Sequence, residues 1–189
     1  MITDELKNKN YSLYLDKLRG LGVNTEAIEA QIQNQLINAT YACSNENGVA
    51  YDGSLLHIVL RTLTPYAIKI NSSLPANIQV EQNSIVKVCL LSHLSKCQMF
   101  IPNDNEWEKD KRGIMYKYAP YSSALKMGAR SIILAQSLGI NFTQEEFEAM
   151  MIIDKDDTDI QSKFHSSPLA LIVKQANELT FLQIRLNKE

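Results

Sequence analysis

What this chain of 189 residues lacks is as informative as what it carries. No apolar run is long enough to cross a bilayer. The longest, "IVKVCLLSHL" and "SIILAQSLGI", are broken by polar residues well short of the ~20 a spanning helix needs. Charge of one sign is not in excess: the net charge is −2, so nothing points to nucleic acid or an anionic membrane as an obligatory partner. Cysteine is scarce and odd in number. Cys43, Cys89 and Cys97 suit reduced thiols better than a disulfide framework. Internal repeats and low-complexity segments are missing, and there is one tryptophan, Trp107. The opening "MITDELKNKN" has no basic-then-apolar order of a signal peptide. Together these features lead us to expect a cytoplasmic protein with no membrane contact.

What is present is helical periodicity. Leu6, Tyr11, Tyr14, Leu15 and Leu18 recur at helical spacing over 3–19, ending at Gly20 and Gly22. Asn24 or Thr25 caps a second helix marked by Ile28, Ile32, Leu36 and Ala39. "CSNENGVAYDG" then reads as a loop. A third pattern starts at Ser54 and contains Pro65, which must kink or break it. A fourth runs from about Val80 to Lys96. Helical spacing fails over 97–121 and returns from Ser122 to Leu138. "TQEE" at 143–146 is a capping box, and a last helix begins near Ser167 with Pro168 in its first turn. The fold class expected is all-α with an extended or β-hairpin arm around 97–121, and the whole chain, 1–189, reads as a single helical domain.

Four fragments in order carry a resemblance to a known family. "GSLLHIVLRT" sets a glycine and two leucines before His57; "VCLLSHLSK" ends in Lys96; "KMGARSIILAQSLGINFTQEEFEAM" holds Gly128, Arg130 and Ser131 ahead of a Glu-Glu helix; "SPLALIVKQANEL" places Asn177 after Ala176. This series resembles the HD-domain superfamily, best known for metal-dependent phosphohydrolases. The likeness covers about 50–183, with 1–42 as helices in front of it. It implies an HD-like helical bundle in which His57 matches the first metal-binding histidine and Lys96 the lysine after the paired His-Asp.

The departures fall on the chemistry. Ser92 stands where the family has histidine and His93 where it has aspartate. Met127 replaces another histidine, Ile153 falls near where a further one is common, and Asn177 replaces the closing aspartate. A metal that acidifies bound water needs anionic or strongly donating ligands, and a serine hydroxyl or a carboxamide is neither. Cys89, His93 and Cys97 recur every four residues, but on one helix they span about 12 Å and cannot all reach one ion. We therefore expect no catalytic residue, no metal and no cofactor. The ligand-binding candidates are His57, His93, Lys96, Arg130 and Asn177, with Lys96 and Arg130 as a forked or paired grip on phosphate. The alternative for His57 is a hydrogen-bonded core histidine; for the two cations it is a solvated helix surface.

The arm "NDNEWEKDKRGIMYKY" interleaves basic and aromatic residues, but its four acidic residues make a poor phosphate track, and a solvated arm or a protein-contact surface is the better reading. The expected function is a catalytically inactive HD-like domain that binds a partner protein or a phosphorylated small molecule. Two alternatives stand beside it: a phosphohydrolase with an atypical metal site built on His57, His93 and Asn177, and a purely structural interaction domain.

Overall fold

The computed structural model describes residues 2–120, 124–154 and 166–186. Helix α1 spans Asp4–Gly20. The Thr3 hydroxyl accepts from the Leu6 amide at 3.2 Å, and Asp4 and Glu5 sit at the positive end of the helix dipole. Its end is a Schellman turn, with the Val23 amide on the Leu18 carbonyl at 3.0 Å and Gly22 in the left-handed region. Tyr11, Tyr14, Leu15 and Leu18 form the buried stripe that the spacing predicts.

The second expected helix is two, α2 (Glu26–Gln31) and α3 (Gln33–Ile37), hinged at Ile32 with φ −130°. Residues four apart drift about 40° around a straight helix. The hinge cancels that drift and keeps Ile28, Ile32 and Leu36 all buried. Pro65 acts as expected. After α4 (Ser54–Ile58) the chain widens into a π-helical turn, Val59–Leu63, before α5 (Thr64–Ser73). The Thr64 amide reaches back five residues to the Val59 carbonyl, and the Thr64 hydroxyl donates to the same oxygen at 2.8 Å. The wider turn accommodates the proline ring without a break in burial, since Leu60, Leu63 and Ala67 all stay inside.

The fourth helix is shorter than its apolar pattern. Helix α6 covers Gln82–Leu91 and α7 Lys96–Met99, with a tightened turn between them. There the amides of Leu94, Lys96, Cys97 and Gln98 bond three residues back instead of four. The cause is side-chain competition for the backbone. The Ser92 hydroxyl donates to the Cys89 carbonyl at 3.2 Å, and the Ser95 amide goes to the Ser131 hydroxyl at 3.0 Å. Strands β1 (Phe100–Pro102) and β2 (Tyr116–Tyr118) form the expected antiparallel hairpin, Phe100 opposite Tyr118. The charged turn between them folds as helix α8 (Glu106–Arg112), capped by Asn105 and closed by Gly113 in the left-handed region.

Helix α9 is Met127–Ser137; the expected start at Ser122 lies outside the described residues. Helix α10 (Gln144–Ile152) carries the capping box in full, and its Glu146 also takes the Lys87 ammonium at 2.7 Å. Helix α11 (Pro168–Leu186) packs on α10, α5 and α6 and so lines the middle of the fold. The described chain is thus all-α with a small hairpin arm.

A buried polar centre and an apolar groove as candidate functional sites

The tightened turn after α6 aims Ser92, His93 and Lys96 inward, toward α11 and the loop after α3. Ser92 is 0%, His93 1%, Asn177 3% and Lys96 8% exposed. Both imidazole nitrogens of His93 meet partners: Nδ1 lies 2.9 Å from Ser92 Oγ and Nε2 lies 3.5 Å from the Tyr41 hydroxyl. The Tyr41 ring stacks on the imidazole with centroids 5.4 Å apart. The Lys96 ammonium donates to the Tyr41 carbonyl at 2.7 Å and stands 3.6 Å from the centre of the Tyr41 ring. Asn177 donates through Nδ2 to the Ile153 carbonyl at 3.1 Å. Its Oδ1 is buried without a well-formed hydrogen bond, although the carboxamide stands beside the His93 ring.

Burial governs the charge state of this centre. It lowers the Lys96 amine to about 7, against the pull of Asp154 and, less, Cys43. It also holds the His93 imidazole well below the ordinary histidine range. The Lys96 charge adds to that lowering and Asn177 opposes it. The centre therefore holds a neutral imidazole and an amine poised near neutrality.

His93, Lys96 and Asn177 meet here; the other two candidates do not join them. His57, on α4, is half-buried, and its buried Nδ1 has no hydrogen-bond partner among the described residues. Burial lowers its pKa first, and the Arg61 charge adds to that. Arg130, on α9, is half-buried and lines a groove of about 560 Å³ between the α2–α3 hinge, α7 and α9. The walls of that groove are Ile32, Leu125, Ile133 and Leu134, with Gln31 and Gln98 among its polar lining. Ser95, adjacent to Lys96 in sequence, also lines it, so the two cations occupy opposite sides of the tightened turn.

Sequence reasoning missed Tyr41, Asp154 and the Ser95–Ser131 pair. Tyr41 sits in an irregular stretch with no period to mark it, and only tertiary contact reveals it as the residue joining His93 to Lys96. Gly128 was picked out by resemblance, and its geometry supplies the reason: a Cβ there would meet the Met150 carbonyl oxygen at 1.9 Å. Glycine lets α9 approach α10 closely enough for the Gly128 amide to reach Asp154 Oδ2 at 3.4 Å.

A divalent ion of the kind the resemblance implies needs several anionic or free imidazole donors aimed at one point. Here the imidazole nitrogens face Ser92 and Tyr41, the amide is neutral, and an amine stands in their midst. Among the described residues, no three His, Cys, Asp or Glu side chains converge. These residues do not fit such an ion. Comparison with protein-family models, curated proteins and solved structures finds no match to this chain.

Proposed function

We propose that this chain is a non-catalytic, HD-like helical domain that acts by binding a partner protein. One observation carries the reading: the Lys96 amine is spent inside the protein, on the Tyr41 carbonyl at 2.7 Å. The spot where the resembling family gathers metal and phosphate is thereby filled by the chain's own donor. A phosphate would have to displace that bond and enter a centre whose side chains are nearly all sealed from solvent. Buried polar groups whose donors are taken up from within, as the Lys96 and Asn177 donors are here, serve to fix one packing arrangement. Binding then belongs to the surface, where apolar side chains and unpaired charge remain available.

The test is elemental analysis by inductively coupled plasma mass spectrometry on protein purified without chelator, paired with phosphate release from a panel of nucleotides. The expected result is no stoichiometric transition metal and no turnover. A stoichiometric metal that falls in His93→Ala, together with phosphate release, would overturn the binding reading in favour of a hydrolase.

A further inference from the structure

Two surface features complement each other in chemistry and in spacing. The first is the Arg130 groove. Ile133 is 55% and Leu125 49% exposed, so its apolar wall is open to solvent. Among the described residues, Arg130 is the only charged one in its lining, and no acidic side chain pairs with the guanidinium. The second is helix α8. Trp107, the only tryptophan, is 61% exposed on its first turn. Three residues on, Asp110 lies exposed on the same side of the helix. The neighbouring acids are already engaged: Glu106 with Lys109, Glu108 with Arg112 and Asp104 with Lys117. Among the described residues, Asp110 has no such partner.

We infer that α8 of one copy docks in the Arg130 groove of a second copy, Trp107 filling the apolar wall and Asp110 meeting Arg130. The inference deepens the binding reading by naming the partner. An aromatic knob beside a carboxylate, three residues apart, faces a guanidinium beside an isoleucine, Arg130 and Ile133, also three apart. Lys111 flanks the indole on its other side, and no acidic residue among those described lines the groove to receive it. That fixes one orientation, with Asp110 inward and Lys111 in solvent. Tryptophan and arginine are the side chains that most often dominate interface energetics, and the guanidinium also gains from the face of the indole. A knob of ~150–250 Å² is a small part of the ~1,200 Å² of a stable interface, so the association belongs to the weak, transient class.

Because Trp107 is the sole tryptophan, intrinsic fluorescence reports its burial directly. The emission maximum of the wild-type protein should move to shorter wavelength as concentration rises toward about 1 mM. Arg130→Glu keeps the tryptophan and spoils the groove, so its emission should stay red at every concentration. Trp107→Ala is silent and keeps the groove, so its addition in excess should shift blue both the Arg130→Glu spectrum and that of dilute wild type; an Arg130→Glu spectrum that stays red in this mixture would refute the contact. The charge exchange Asp110→Arg with Arg130→Asp, in one chain, should restore the concentration-dependent shift. Far-ultraviolet circular dichroism checks that these surface variants are folded. A wild-type spectrum that ignores concentration, or an Arg130→Glu spectrum that shifts like wild type, would refute the contact. Phosphoester turnover would defeat the binding reading without touching this contact; an unmoved spectrum would defeat the contact and leave binding to other partners.

Discussion

The Lys96 amine makes the stability of this protein depend on pH in a direction that ordinary surface lysines cannot produce. Its pKa is about 7 in the folded protein against 10.5 for an unperturbed lysine. Between those values the unfolded chain binds a proton that the folded chain does not, so stability rises with pH through that window. Above 10.5 neither state is protonated at this site, and below about 7 both are, so the penalty is then fully present. One proton of difference is worth about 1.4 kcal/mol per pH unit, which gives about 2 kcal/mol between about pH 7.5 and about pH 9. Above that, Cys89 and Cys97, pushed up to about 12 by burial, and the buried Tyr14 and Tyr41, also raised, act with the opposite sign. They keep their protons in the folded state while the unfolded chain releases them.

Lys96→Met separates the two effects, because it removes the amine and keeps most of the hydrophobic stem. Urea unfolding followed by circular dichroism, at fixed ionic strength and in steps across this window, should show the wild type gaining on Lys96→Met by about 2 kcal/mol as pH rises. Should that variant fail to fold, calorimetry of the wild type in buffers of different ionisation enthalpy reads the same quantity, as net proton uptake on unfolding near pH 8. A gap between wild type and variant that does not change with pH, or no uptake on unfolding, would refute the placement of Lys96 beneath Tyr41.

At the acid end the same centre predicts a loss. Because burial holds His93 well below 6.5, the unfolded chain takes up a proton there first, and stability should fall as pH drops through 6.5. His93→Gln should flatten that limb in the same unfolding titration. Gly128→Ala is the steric counterpart. In an ordinary helix interior the change stabilises by up to about 1 kcal/mol. Here the new Cβ would lie 1.9 Å from a backbone oxygen that no rotamer change can move. The expected result is a loss of about 2–3 kcal/mol, or roughly 5–10 °C in Tm. A neutral or stabilising outcome would mean that α9 and α10 do not approach as described.

These perturbations also mark where the sequence stops being legible. The stripe of α1, the capping box of α10 and the start of α11 follow from local rules, because one element's period or cap residue decides each of them. Pro65 announced a disturbance, and the chain resolved it as a π turn because Thr64 could bond Val59 twice. The four-residue spacing of Cys89, His93 and Cys97 implied one continuous helix, and it misled for a reason that lies outside that segment. Ser131, thirty-six residues away in sequence, takes the Ser95 amide out of the helix. That bond, together with the Ser92 hydroxyl on the Cys89 carbonyl, accompanies the tightened turn that puts Lys96 under Tyr41 and Ser95 beside the Arg130 groove, so two cations that the resemblance grouped together end on opposite sides of one turn. Ser131→Ala should let the Ser95 amide return toward Leu91, and the resulting longer helix would disturb both faces at once. The expected signature is a flattened pH dependence of stability together with a weakened fluorescence shift of Trp107. A variant that alters only one of these would place the Ser95–Ser131 bond outside the coupling between the polar centre and the groove.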